Sequence, residues 1–448
     1  MEIKGNKMGT EPVFKLVITM AVPAMLSMLV GALYNVVDSY FVSKINENAL
    51  TAVSLAFPIQ MLLIAVAVGT GVGINSLVSR RLGEDRKEEA DSAATHGILL
   101  GIANWVLFAI FGLFFARMYI QAFTNSKEII EMGTKYLSIV SVFSLGVCIE
   151  INIEKTLQAT GNMIYPMISQ LIGGVTNIII NPILVFGLSG APKMGVIGSG
   201  TATVIGQTLA MLFAMFIIFT KDHAVKINFH HFKINWETVK NIYVVGFPSI
   251  IMQAIGSVMV MGMNFILIAF NDTAVAVFGI YFKLQSFIFM PVFGLNQGVM
   301  PIMGYNFGAR KRQRLISALK IGSVIALCIM AVGTLMFWLF TDQLLLLFSA
   351  SQQMLGIGVP ALRTISLCFI PAALSIMFST TFQAVGNGFR SLLISVLRQL
   401  VVLLPAAYVL SKISLPAVWY AFPIAEIIAL IASILFFVDL NRKTLKSL

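Results

Sequence analysis

Twelve apolar runs, each long enough to cross a bilayer, constrain this chain more than any other feature. They lie at about 13–43, 51–80, 94–116, 131–155, 164–187, 195–219, 241–269, 273–306, 317–339, 358–384, 390–411 and 415–438. A hydrocarbon core about 30 Å thick is spanned by about 20 apolar residues in a helix. The runs therefore predict an all-α polytopic membrane protein with twelve transmembrane helices. Composition agrees: of 448 residues 58% are hydrophobic and only 11% charged, where a soluble domain carries about a quarter. A chain this apolar also lacks the signature of disorder. The second and eighth runs reach about 45 Å at 1.5 Å per residue, so they tilt, bend or protrude. Lys4, Lys7 and Lys15 precede the first run as in a signal peptide, but the run is too long and no small-residue cleavage site closes it. It is expected to be a retained span. Cys148, Cys328 and Cys368 sit in apolar stretches with neither a disulfide framework nor zinc spacing, and read as small buried hydrophobes.

An even number of spans places both termini on one side, and the basic residues choose the side. With the termini in the cytosol, 21 of the 30 Lys and Arg fall in inner segments and six in outer ones; Lys283, Arg363 and Arg398 lie within spans. This bias accounts for the net charge of +11 without nucleic acid as a partner, and anionic membrane lipid is the expected counter-surface. The predicted location is the plasma membrane, multi-pass, with both termini cytoplasmic and the chain a monomer.

A shift of 225 residues superposes landmarks without a gap: Pro23 on Pro248, Gly31 on Gly256, Gln60 on Gln285, Gly69 and Gly73 on Gly294 and Gly298, and Gly83 on Gly308. Gln158-Ala159-Thr160-Gly161-Asn162 falls on Gln383-Ala384-Val385-Gly386-Asn387. The matches are Gly, Pro, Gln and Asn at helix bends and ends, and the register is expected to slip near the eleventh span. Six spans per copy make this a parallel repeat. The expected organisation is an N-terminal six-helix bundle at 1–220, a cytoplasmic linker at 221–240 and a C-terminal six-helix bundle at 241–448. The linker holds His223, His230 and His231, which read as solvated. Two related bundles suit a carrier working by alternating access.

Ionisable groups within spans are costly and mark function by default. Asp38 lies in the outer half of the first span, with Asn35 one turn away. Asn177 and Asn181 share a face of the fifth span, and Thr203 lies at a similar depth in the sixth. One carboxylate with amide and hydroxyl oxygens at one level can hold a sodium ion, making Asp38, Asn177, Asn181 and Thr203 a candidate metal site. A carboxylate out of water can instead carry a proton, and a structural hydrogen-bond cluster is the third reading. Glu150 and Glu154 form an i, i+4 pair near the inner end of the fourth span, placed either to snorkel or to take part in coupling. Lys283, Arg398 and Glu426 are read as a charge network of the C-terminal bundle, structural or a second proton or substrate site.

These residues resemble the multidrug and toxic compound extrusion (MATE) family over essentially the whole chain. The resemblance rests on Asn35-Val36-Val37-Asp38, Ser79-Arg80-Arg81-Leu82-Gly83, Gln158-Ala159-Thr160-Gly161-Asn162, Asn177 through Asn181-Pro182, Gly195-Val196-Ile197-Gly198 leading to Thr203, Tyr305-Asn306-Phe307-Gly308-Ala309 and Gln383-Ala384-Val385-Gly386-Asn387. Tyr305-Asn306-Phe307 and Glu154 look most like the bacterial drug-exporting branch. The resemblance implies a V-shaped antiporter of two six-helix bundles, exporting amphipathic, often cationic compounds against inward sodium or proton flow, with no cofactor beyond the coupling ion. It matches Asp38 to the coupling aspartate of the first helix, and Asn177, Asn181 and Thr203 to the cation site. Many members have Asp where this chain has Asn181, which tilts the expectation toward protons carried by Asp38 and Glu154.

A lipid-linked oligosaccharide flippase of the same superfamily is the alternative, disfavoured because the N-terminal bundle has no mid-membrane Lys or Arg. A major facilitator carrier lacks support around Gly83-Glu84-Asp85-Arg86-Lys87. No catalytic or phosphate-cradling motif argues for an enzyme, and nothing resembles a selectivity filter.

Overall fold

The structure, a computed structural model, describes residues 6–230, 232–348 and 350–448, and the side chains of 34–40, 42, 43 and 47 lie outside the described set. Every regular element among the described residues is helical. The bilayer core offers no water to unpaired N–H and C=O groups, so a spanning chain closes its hydrogen bonds within each helix. Among the described residues ten helices are long and apolar enough to cross a membrane, and two bent helix pairs raise the number to twelve. The spans follow the expected runs. The first is Val13–Ser43, the second Glu47–Gly83, the third Lys87–Phe114, the fifth Ile164–Phe186 and the sixth Val196–Thr220. The seventh is Trp236–Ile268, the eighth Asp272–Gly308 and the ninth Arg312–Leu339. The eleventh is Gly388–Ser411 and the twelfth Leu415–Ser447. The fourth joins Lys127–Val142 to Leu145–Ala159 with a 42° bend, and the tenth joins Gln352–Ser366 to Phe369–Ala384 with a 44° bend.

The repeat is carried by the ends of the elements. At a constant offset of 225 residues, Glu47–Gly83 maps onto Asp272–Gly308, Lys87–Phe114 onto Arg312–Leu339, and the short helix Ala116–Gln121 onto Thr341–Leu346. The two bent spans are repeat partners as well. Asn46 Oδ1 accepts from the Ala49 N–H at 2.6 Å and Asn271 Oδ1 from the Ala274 N–H at 2.8 Å, so one kind of cap opens both the second and eighth spans. Gly161 and Gly386 turn the chain after the matched motifs at φ of +87° and +84°, where a side chain would be strained. The expected slip near the eleventh span does not occur at the level of elements: Val196–Thr220 and Ala421–Lys443 still begin 225 residues apart. Membrane thickness holds helix lengths constant while side chains drift. The local misfit is absorbed by a π-helical segment, Leu397–Leu403, a widened turn inside the helix.

The chain forms two compact units, an N-terminal unit Leu26–Ile250 and a C-terminal unit of Met1–Met25 with Ile251–Leu448. Both boundaries fall inside spans, just past Pro23 and Pro248. Within the N-terminal unit small residues let helices approach closely: a Cβ on Gly73 would collide with the Ile242 carbonyl, and one on Gly206 would lie 2.6 Å from the Gly173 carbonyl oxygen. Within the C-terminal unit the turn Lys7–Thr10 is anchored through its carbonyls. Asn306 Nδ2 and Arg314 Nη2 donate to the Met8 carbonyl at 2.9 and 3.1 Å, and Lys311 Nζ donates to that of Gly9 at 2.9 Å. The Tyr305-Asn306-Phe307-Gly308 stretch thus holds the chain's own N-terminal turn. Phe114, Phe216, Phe265 and Leu435 are exposed, as a lipid-facing surface requires. Cys148 and Cys368 are buried, whereas Cys328 is exposed, so the expectation of three buried thiols holds for two.

Candidate functional site

The fifth span organises the polar interior of the N-terminal unit. Its Gly173 faces Gly206 of the sixth span, and that close approach brings the next polar turn of each helix within hydrogen-bond reach. Asn177 Nδ2 donates to Thr203 Oγ1 at 3.0 Å, and Asn181 Nδ2 donates to Asn177 Oδ1 at 3.3 Å. The three are 2%, 0% and 3% exposed. Polar groups out of water keep their place only when hydrogen-bonded, and this chain of amide and hydroxyl satisfies that. Sequence depth alone brought these three together, and the structure places them in contact. Asp38 and Asn35 lie on the helical first span, but their side chains are outside the described residues.

A second polar layer sits further along the same face. Gln170 is seven residues before Asn177, about 10 Å along a helix. Gln170 Nε2 donates to Glu154 Oε2 at 3.0 Å, and Ser169 Oγ donates to Glu150 Oε1 at 3.0 Å. Glu154 Oε1 has no hydrogen-bond partner among the described residues. Glu154 is 3% exposed and Glu150 7%, so neither snorkels: the inner half of the fourth span presses both carboxylates against the fifth. Adjacent to them Lys155 is buried and its Nζ donates to Gln158 Oε1 at 3.0 Å. Sequence reasoning passed over Ser169 and Gln170. Their one signal was to be the polar pair of an otherwise apolar stretch, two turns before Asn177.

In the C-terminal unit Arg398 Nη1 meets Glu426 Oε1 at 3.1 Å, while Glu426 Oε2 has no partner among the described residues. Arg398 stands in the π-helical segment Leu397–Leu403, an arrangement found disproportionately at functional places. Lys283 is apart from this pair: it is exposed, with its Nζ 5.9 Å from the ring centre of Phe348. Among the described residues no group of three or more His, Cys, Asp or Glu could hold a metal ion. The oxygens that could face a small cation in the N-terminal unit are the side-chain oxygens of Asn177, Asn181 and Thr203.

The MatE family model matches residues 23–183 and 248–409, once in each copy of the repeat. The chain belongs to the MatE family. The multidrug export protein MepA of Staphylococcus haemolyticus (strain JCSC1435) is 27% identical over 96% of this chain and 95% of its own length. A MATE crystal structure in complex with MaL6 matches with a TM-score of 0.93 and 28% identity, covering 99% of this chain and all of the other. An outward-facing multidrug resistance MATE family transporter of the MOP superfamily matches with a TM-score of 0.93 and 28% identity over the whole of both chains. The expected family and the all-α, twelve-span fold class therefore stand, and the protein is a multi-pass membrane transporter of bacterial MATE type.

Proposed function

We propose that this protein is a secondary active antiporter that exports amphipathic and cationic drugs and other toxic organic compounds in exchange for inward protons. The observation that carries the reading is the buried Glu154 carboxylate, one oxygen held by Gln170 and the other without a partner, on the same fifth-span face as the Asn177–Asn181–Thr203 chain. A carboxylate in that setting can be loaded and unloaded while the hydrogen-bonded chain beside it stays intact. Asp38 completes the coupling set with Asn35, and Asn181 in place of a second carboxylate favours protons over sodium. The basic inner loops support both termini in the cytosol, and the chain acts as a monomer in the plasma membrane.

The test is dye efflux from proteoliposomes loaded with ethidium, under a proton or a sodium gradient imposed separately. The proton gradient is expected to drive efflux by the wild type, and Asp38→Asn is expected to abolish it. Efflux driven by sodium alone would assign the ion to Asp38, Asn177, Asn181 and Thr203 instead. If neither gradient moves the dye, drug export is wrong and lipid-linked oligosaccharides become the substrate to try.

A further inference from the structure

The segment 221–235 between the sixth and seventh spans is pinned to the inner end of the third span by three side chains in order. Asp91 Oδ1 accepts from the Lys226 N–H at 2.7 Å, Thr95 Oγ1 from the Asn228 N–H at 3.2 Å, and His96 Nε2 from the Asn235 N–H at 2.9 Å. His96 is 1% exposed. Its Nδ1 lies 2.7 Å from the Ser92 carbonyl oxygen, and its ring packs edge-on against Phe232 at 4.7 Å. A backbone N–H can only donate and a carbonyl can only accept, so the ring is neutral with its proton on Nδ1. Asn235 is also the cap of the seventh span: its Oδ1 accepts from the Glu237 and Thr238 N–H groups at 2.9 and 3.4 Å.

We propose that His96 is a proton-sensitive clasp that positions the start of the seventh span. A proton on Nε2 turns the acceptor into a donor facing the Asn235 N–H, and the cap residue is released. Imidazole is the side chain whose charge ordinarily changes between about pH 5 and 8, so the clasp works in the range a proton-driven carrier meets. A cleft of about 390 Å³ beside Ser92 and Asn235 is lined by Arg81, Arg86, Glu88, Glu89 and Glu237. Arg81 is held by Glu84 at 2.5 Å and Glu89 at 2.9 Å, and Asp91 is engaged by the Lys226 N–H. The neighbouring charges thus have partners of their own, and the Asn235 amide is left to His96. The clasp stands whether protons or sodium drive transport; only its effect on efflux rests on the function proposed above.

The experiment is hydrogen exchange on the full-length protein in detergent, read at residues 232–238 and corrected for the intrinsic pH dependence of exchange. Wild-type protection at Asn235 is expected to fall roughly tenfold between about pH 7.5 and 5.5, the order set by losing one backbone hydrogen bond. In His96→Gln, whose amide oxygen can accept but not titrate, protection is expected to be equal at both pH values. Thr95→Val is expected to lose protection at Asn228 at both pH values and to keep the pH-linked loss at Asn235. Wild-type protection at Asn235 that does not change with pH overturns the proposal, and so does His96→Gln showing the wild-type loss. If His96→Gln does not fold, the wild-type and Thr95→Val profiles decide alone. Dye efflux in the same preparations separates the two readings: failure of efflux with an intact clasp profile counts against the proposed function only.

Discussion

Gly206→Ala tests the packing that assembles the outer polar layer. The new Cβ would sit 2.6 Å from the Gly173 carbonyl oxygen, a backbone atom that cannot rotate away, whereas ordinary contact begins at 3.4 Å. The fifth and sixth spans must part locally by about 0.8 Å, the difference between those distances. Asn177 and Thr203 lie one turn away on the two helices, so their 3.0 Å bond stretches to about 3.8 Å, beyond hydrogen-bond range. A buried bond of this kind contributes about 1 kcal/mol net, and a donor left unsatisfied costs a further 1–3 kcal/mol or so. Against this, Ala gains roughly 0.5–1 kcal/mol over Gly within a helix. The expected balance is a loss of about 1–2 kcal/mol, together with weakened ion-driven efflux. Gly279→Ala in the eighth span is the control, because nothing lies within 4 Å of its Cβ position; only the helical gain applies there. Thermal unfolding in detergent and efflux after reconstitution measure both variants. A Gly206→Ala protein as stable and as active as Gly279→Ala would refute the coupling of that contact to the Asn177–Thr203 bond.

Gln170→Leu removes the donor to Glu154 Oε2 and leaves a buried carboxylate without a side-chain partner; efflux is expected to fall about tenfold, the rate equivalent of a charge-assisted bond, and unchanged efflux would count against Glu154. Arg398→Met strips Glu426 of its partner and is expected to cost up to about 3 kcal/mol, less than a fully buried pair because Arg398 is partly exposed. The double variant Arg398→Met with Glu426→Leu is expected to recover most of that, and thermal unfolding of the two proteins compares them. Asn46→Ala and Asn271→Ala each lose the same helix cap and are expected to cost about 1 kcal/mol apiece. They sit in different units, so their sum is expected in the double variant; a strongly unequal pair would count against the equivalence of the two copies at this turn.

The twelve spans and the repeat were legible because the membrane leaves so few choices. Apolar length sets each helix, charge marks its ends, and a Gly or Asn that turns the chain must recur wherever the turn recurs, as Asn46 with Asn271 and Gly161 with Gly386 do. The breaks in the fourth and tenth spans were not legible. They fall at Phe143-Ser144 and Leu367-Cys368, residues without the proline or glycine that usually announces a bend. That the two breaks coincide under the repeat shows that packing within each copy, and not a local breaker, places them. The same limit governs the site. Asn177, Asn181 and Thr203 could be grouped by depth because two helices joined by a short turn share a depth scale. Which of three charges in the C-terminal unit would pair could not be read, since rotation about each helix decides it: Arg398 turns to Glu426, while Lys283 points to an exposed surface beside Phe348. Glu150 and Glu154 lay close enough to an interface for sequence to allow snorkelling. Their burial depends on Ser169 and Gln170 presenting donors from the fifth span. A donor facing a carboxylate across a helix pair has no periodicity of its own, so the polar partner of a buried charge is the feature that only three dimensions reveal. By the same reasoning, the clasp on Asn235 was out of reach of sequence: its three acceptors are ordinary residues of an inner helix end, and their meaning lies wholly in the backbone that crosses them.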